Sequence, residues 1–410
     1  MRRQIASPSK DRLASVSATN RRTAAQGHFR SRRKINRRSV LINLFLLIIS
    51  TLFALLLSEI ALRLMGLGPM YVSPERDRFW KYDSLLGWAH QPGQEGIFET
   101  AQFRTTVRIN LKGLRDREHA YERSDNSGRI LVIGDSFAWG YGVEETQRFS
   151  QLLEASMDVE VINAGVSGYS TDQELLWLRE EGVKYDPDLV ILGFSGNDIG
   201  DNSQQLVNTI YYKPQFVMEG NRLILKGSPV PRTGLQGRLI YYLSQRSALS
   251  FFLVQRYFDF LSVYRNFSGS LVAEGNSDNA NPSNSVPGSP RELFKLTHTL
   301  LHEISKIAES RGARFMIVAT DRWWNAPSGQ TYRDFIDSLH SEGFLVLDVE
   351  SVPGFDPVKM LIPDDGHWNS AGHEFVAEEI MHFIESNQLL ILPQNQDNTG
   401  YLFDRETIGR

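Results

Sequence analysis

Apolar residues recur along this chain in three rhythms, and each predicts a different kind of element. Ser39 to Ser58 runs twenty residues without a charge and is mostly apolar. As a helix that stretch rises about 30 Å, which matches the hydrocarbon thickness of a bilayer. Short aliphatic blocks follow at Ile130-Leu131-Val132-Ile133, Val159-Glu160-Val161-Ile162, Leu189-Val190-Ile191-Leu192, Phe315-Met316-Ile317-Val318 and Phe344-Leu345-Val346-Leu347, and they read as buried strands. Between and after them, helical periods predict helices over Thr146 to Ser156, Thr171 to Gly182, Pro290 to Ser310, Thr331 to Ser341 and Ser370 to Asn387. Thr171 with Glu174 three residues on makes a capping box for the second of these. Alternating β and α units imply an α/β fold with a doubly wound, mainly parallel five-stranded sheet.

Two regions depart from the alternation. Residues 71–128 alternate polar and apolar in Phe103-Arg104-Thr105-Thr106-Val107-Arg108-Ile109 and carry Gly87, Gly93, Gly96 and Gly113, which predicts a small β-rich lead-in. Residues 200–290 form an insertion, with a hairpin around Gly220-Asn221 and an apolar, aromatic-rich stretch from Leu239 to Tyr264. That stretch suits a lid, an acyl-binding wall, a contact with a membrane or additional core. Asn266 to Pro290 is rich in Ser, Asn, Gly and Pro and predicts a mobile loop. The organisation is then a tail (1–38), a transmembrane helix (39–62), the lead-in (71–128), a main domain (129–388) holding the insertion, and a C-terminal tail (389–410).

Charge orients this plan. Residues 1–38 hold twelve of the 44 basic residues and one of the 48 acidic ones, so a basic tail precedes an acidic body. The tail's bases crowd one flank of the apolar run, and the positive-inside bias places the N-terminus in the cytoplasm and the body in the periplasm or at the cell surface. The run is too long for a signal-peptide core and lacks a small-residue cleavage site, which favours an uncleaved anchor. An Arg- and Ser-rich tail also fits a transit peptide or a nucleic-acid-binding arm. With a span directly behind it, anionic lipid is the simpler partner, and no nucleic acid is expected. The chain has no cysteine, so a disulfide framework, a thiol nucleophile and a Cys-based metal site are excluded.

The chemistry lies where strand blocks end. Gly134-Asp135-Ser136-Phe137 follows the first block, and a serine at a strand-to-helix turn projects its hydroxyl above the sheet beside free backbone N–H groups. Gly-Asp-Ser is ordinary turn chemistry too. Three more blocks end in Asn163-Ala164-Gly165-Val166-Ser167-Gly168, in Ser195-Gly196-Asn197-Asp198 and, at a distance, in Asp364-Asp365-Gly366-His367. In an open parallel sheet all four clusters meet at the carboxyl edge, where ligand sites lie.

The order and spacing of these clusters resemble the SGNH branch of the GDSL hydrolases, over roughly residues 129 to 199 and 290 to 385. The resemblance implies Ser136 as nucleophile, His367 as general base, and an oxyanion hole from the Ser136 backbone N–H, Gly168 and Asn197. Asp364, three before the histidine, fits the family's usual spacing for the residue that orients the base. Asp365, two before a His-Trp pair, fits related acyl-handling enzymes, so both stay open with Asp364 favoured. Asp83 to Arg117 is similar to the region preceding the nucleophile in membrane-anchored bacterial members. The resemblance implies a membrane-anchored serine esterase acting on O-acyl groups, acetyl among them, of an envelope polysaccharide or lipid-linked glycan, without a cofactor. An O-acyltransferase would use the same acyl-enzyme. An inert glycan-binding or scaffold protein is the rival from another class, and an α/β-hydrolase lipase is disfavoured because the Gly-x-Ser-x-Gly elbow is absent.

Other residues stand near this edge. Asp321-Arg322-Trp323-Trp324 follow the fourth strand and would suit a carbohydrate or an anionic group, or form a structural aromatic cluster. His298 and His302 stand four apart on a helix, where such pairs can bind zinc, but no third ligand accompanies them and a solvated face is expected. No metal site is expected. His373 is read as a helix-entry residue and Asp135 as the residue that holds the turn.

Overall fold

The computed structural model describes residues 36–69, 72, 74–123, 128–207, 211–257, 260, 290–320 and 330–390. The stretches Asp321-Arg322-Trp323-Trp324 and Asn266 to 289 lie outside them, as do the tails before residue 36 and after residue 390. The chain divides into two units, Met1–Leu57 and Ser58–Arg410. The first holds most of helix α1 (Arg37–Leu64), none of whose residues is buried. Among the described residues α1 is the one helix long and apolar enough to cross a membrane, a property a signal sequence shares.

In the second unit a lead-in of two hairpins comes first, β1 (Trp80–Asp83) with β2 (Gly87–His90) and β3 (Glu95–Glu99) with β4 (Arg104–Arg108). Next come β5 (Gly128–Gly134), α2 (Ser136–Trp139), α3 (Phe149–Ser156), β6 (Val159–Asn163), α4 (Thr171–Glu180), β7 (Leu189–Phe194) and α5 (Asp198–Asp201). The insertion supplies β8 (Leu206–Val207) paired with β9 (Tyr211–Tyr212), the hairpin β10 (Gln215–Glu219) and β11 (Arg222–Lys226), α6 (Leu235–Ser244) and a helix α7 over residues 248–257. The chain then completes α8 (Pro290–Ser310), β12 (Arg314–Ala319), α9 (Gln330–Ser341), β13 (Val346–Asp348), α10 (Pro357–Met360) and α11 (Ser370–Ser386).

The main sheet has the order β6-β5-β7-β12-β13, and every neighbouring pair is parallel. Period-two alternation in the aliphatic blocks builds both layers. Leu131 and Ile133 of β5, Val190 and Leu192 of β7, and Ile317 of β12 pack against Leu176 of α4, Leu300 and Ile304 of α8, and Phe335 and Leu339 of α9. Their neighbours Ile130, Val132, Leu189, Ile191, Met316 and Val318 pack on the other face against Phe149 and Leu153 of α3 and Val376, Ile380 and Ile384 of α11. In this order the connections reverse between β5 and β7, and the carboxyl ends of strands at such a switch point are where open parallel sheets place their ligand sites.

Local details differ from the sequence reading in two places. The capping box of α4 is made by Ser170 and Gln173, not by Thr171 and Glu174. Glu174 points into the protein and is buried, so it is unavailable to reach back to the helix start. The last strand begins at Val346, and Leu345 before it contributes only its carbonyl, which accepts from the Ile317 N–H.

Candidate active site

The nucleophile turn is held by its own residues. Gly134, at φ 151°, pairs with Gly193 of β7, and a side chain at 134 would fall 2.9 Å from the Gly193 carbonyl oxygen. Asp135 caps α2, its Oδ1 accepting from the Phe137 N–H at 2.9 Å and its Oδ2 from the Ser195 hydroxyl at 2.9 Å. Burial raises the Asp135 carboxyl against these donors. Ser136 is the first residue of α2, so its N–H has no acceptor within the helix.

Behind the turn, buried polar groups collect loop carbonyls. Arg115, from the lead-in, donates to the carbonyls of Trp139, Gly140, Val143 and Thr106, and its guanidinium lies 4.4 Å from the Trp139 ring. Burial pushes it down to about 9, which leaves it charged at neutral pH. Asn163, at the end of β6, donates to the Ala138 carbonyl and accepts from the Gly165 N–H. Gly165 then lies so close that a Cβ there would stand 2.4 Å from the Trp139 nitrogen. Trp139 joins Phe79, Phe98, Val107 and Ile109 in the core of the lead-in, so that module packs directly on the nucleophile turn.

His367 stands on a loop between α10 and α11. An antiparallel bridge between Leu361 and Trp368 closes it, and Asn369 caps α11 by accepting from the Gly372 N–H. Within that loop His367 Nε2 lies 2.7 Å from Ser136 Oγ, and His367 Nδ1 lies 2.5 Å from Asp365 Oδ1. The His367 backbone N–H reaches the same carboxylate oxygen at 3.3 Å. Asp365 is 6 % exposed and raised by burial, but hydrogen bonds from His367 outweigh burial and hold its carboxyl below the ordinary value. An ionised carboxylate only accepts, so the Nδ1 proton faces Asp365 and Nε2 is left to accept from the serine hydroxyl.

Asp364 does not approach the base. It adopts φ 61° and is exposed, because the turn that returns the chain to His367 needs a left-handed residue there. Of the two carboxylates that spacing left open, Asp365 is the one hydrogen-bonded to His367, although the spacing argument favoured Asp364.

Gly168 and Asn197 lie on the loops that follow β6 and β7. The Val166 N–H donates to the Gly134 carbonyl, which brings the first loop alongside the nucleophile turn, and Gly168 adopts φ 81°. Asn197 is exposed, and its amide donates to Asp201 Oδ2 at 3.0 Å.

Several neighbours were not singled out in the sequence. Tyr141 lies over His367 with 4.3 Å between centroids, Phe137 takes the other position at 4.8 Å, and the Tyr141 side chain hydrogen-bonds Asp365. Trp88, from β2, donates to the Ser167 carbonyl and begins an aromatic row with Tyr211 and Tyr241. Tyr141 falls five residues after the serine, and Leu86-Gly87-Trp88 entered only through the likeness of Asp83 to Arg117 to the region before the nucleophile, which implied no chemistry.

His298, His302 and His373 have structural partners. His298 and His302 both meet Glu342, at 2.9 and 2.8 Å, and His298 also meets Ser338. His373 lies in the first turn of α11. It is buried, stacks on Phe149 and accepts from that residue's N–H, and burial lowers it to about 3, which keeps it neutral. Among the described residues no group of three or more His, Asp or Glu is placed to hold a metal ion.

A serine, an imidazole and a carboxylate in line at a parallel-sheet switch point define the serine-hydrolase class of site. Residues 132–212 match the model of the GDSL-like lipase/acylhydrolase family. The matched segment begins within the strand that precedes Ser136 and runs through Gly168 and Asn197. An arylesterase from Vibrio mimicus is 35% identical over 80 residues, which are 18% of this chain and 40% of that protein, so the chain spans about two-fifths of the length of the curated relative it matches. A lipase/acylhydrolase from Enterococcus faecalis is similar in structure at 16% identity and TM-score 0.33, covering 63% of this chain and 96% of that one. The esterase EstA from Pseudoalteromonas sp. is similar at 12% identity and TM-score 0.36, covering 64% and 99%.

Proposed function

We propose that the protein is a membrane-anchored serine esterase that removes O-acyl groups from an envelope polysaccharide or lipid-linked glycan. The observation that carries the chemistry is the unbroken line Ser136 Oγ, His367 Nε2, His367 Nδ1, Asp365 Oδ1. In that line His367 takes the hydroxyl proton as Ser136 Oγ adds to the acyl carbonyl, and Asp365 stabilises the imidazolium. The tetrahedral oxyanion would be met by the Ser136 N–H, the Gly168 N–H and the Asn197 amide, whose second hydrogen is not the one given to Asp201. As the carbon–oxygen bond to the sugar breaks, His367 returns its proton to the leaving alkoxide. A water then repeats the sequence on the acyl-serine and frees the carboxylic acid. The substrate assignment draws on the apolar run after a basic tail, which favours a body outside the cytoplasm, where glycans carry ester groups.

The test is hydrolysis of p-nitrophenyl acetate by full-length protein in detergent micelles. Turnover should be lost in Ser136→Ala with the far-UV spectrum unchanged. Equal turnover in both proteins would refute the reading.

A further inference from the structure

Two helices of the insertion turn their apolar side outward. On α6, Leu235, Leu239 and Leu243 repeat every four residues and are all exposed, with Ile240 and Tyr242 exposed beside them, while Ser244 is buried. On α7 and just beyond it, Leu253, Tyr257 and Phe260 follow a spacing of four and three and are exposed too, while Ala248 is buried. A helix packed on a soluble body shows the reverse arrangement, and two adjoining outward stripes of this kind mark a surface that is covered in use.

Charge indicates the cover. Pro229 to Phe260 contains Arg232, Arg238, Arg246 and Arg256 and a single acid, Asp259, in a chain whose net charge is -4. Arg246 lies 3.8 Å from the Tyr242 ring centroid, and Arg256 lies 5.5 Å from that of Phe252. Leucine and aromatic stripes bordered by arginine are the chemistry of a bilayer interface, with apolar side chains in the acyl boundary and guanidinium groups among phosphates.

An anchoring contact points the same way. Glu59, the first charged residue after the apolar run that ends at Ser58, caps α7. Its carboxylate accepts from the Ala248 and Leu249 N–H groups and from the Ser247 hydroxyl, each at 2.9 Å. One turn on, Arg63 pairs with Glu59 at 2.7 Å and donates to the Arg246 carbonyl at 2.8 Å, at the turn joining α6 to α7. The end of α1 is thereby fastened to the two helices at their junction.

We propose that α6 and α7 form a docking surface for the phospholipid bilayer that α1 enters. The surface would hold the main domain at a fixed height, so that esters near the membrane reach Ser136 in preference to freely diffusing ones. The inference rests on the anchor reading and is independent of ester hydrolysis.

Because the chain lacks cysteine, single cysteines at Leu239 and Leu253 can carry an NBD fluorophore in the full-length protein, reconstituted in phosphatidylcholine–phosphatidylglycerol vesicles. Lipids brominated in the acyl chain should quench both labels, and both should be shielded from aqueous iodide. A third label at Leu47 reads the span separately. Lipid quenching at 47 with none at 239 and 253 would overturn the docking surface and leave the anchor intact. Quenching at 239 and 253 with none at 47 would support docking and reject the span. Labels shielded from iodide yet unquenched by lipid would mean cover by protein, a second copy or another segment, and would also overturn the proposal.

Discussion

The ring of Tyr141 lies over the imidazole of His367, 4.3 Å between centroids, while its side chain hydrogen-bonds Asp365. One residue thus touches both the proposed base and the carboxylate proposed to orient it. Tyr141 sits in the loop whose flanking carbonyls, Gly140 and Val143, are gathered by buried Arg115, so the lead-in controls how firmly that contact is made.

Tyr141→Phe keeps the ring and removes the donor. A hydrogen bond to a charged acceptor is worth about 1.5–3 kcal/mol, so kcat should fall roughly ten- to a hundredfold with KM little changed. Tyr141→Ala, which loses the ring as well, should fall further. Steady-state kinetics on p-nitrophenyl acetate decide it, and wild-type kcat in the phenylalanine variant would remove Tyr141 from the account.

Asp365 and Asp364 separate in the same assay. Asp365→Asn leaves an amide beside Nδ1 and favours the wrong tautomer, and a loss of about four orders of magnitude is the expected scale. Asp364→Asn keeps a residue that tolerates a left-handed conformation and should stay close to wild type. The opposite ranking would restore the assignment suggested by spacing.

Most of the sheet was legible because its strands are unbroken aliphatic blocks ending in small or polar residues, as at Ile130 to Gly134 and Leu189 to Gly193. Ser136 was legible for the same reason, since it follows such a block, whereas His367 lies in a loop between α10 and α11 and stood out by the two carboxylates before it and Trp368-Asn369 after it. The Asp364 or Asp365 question was not, since it turns on one positive φ in a loop, and no periodicity reports that. Tyr141, Trp88 and Arg115 act across long sequence separations, through contacts that only the packed lead-in creates. Glu174 misled because a capping box one residue earlier satisfies the same helix end.

Glu174 supplies a pH test. Both its carboxylate oxygens are buried without a hydrogen-bond partner, and burial, then the neighbouring carboxylates of Asp135 and Asp172, raise it well above 4.5. A raised carboxyl keeps its proton in the folded state while the unfolded chain releases it. Its contribution is complete below the unfolded value and declines as pH rises toward the folded one. Glu174→Gln removes that dependence. The melting temperature of the variant minus that of wild type should be small near pH 4.5 and grow steadily toward alkaline pH. A difference independent of pH would show that Glu174 is not held protonated.

The central claim is that Ser136 is an activated nucleophile, and the most direct measurement is covalent capture. Full-length protein in detergent should react with a fluorophosphonate probe in one-to-one stoichiometry, with the adduct mapped by mass spectrometry to Ser136. Labelling should disappear in Ser136→Ala and slow strongly in His367→Ala and Asp365→Asn. Capture at another residue, or undiminished labelling of Ser136→Ala, would contradict the account.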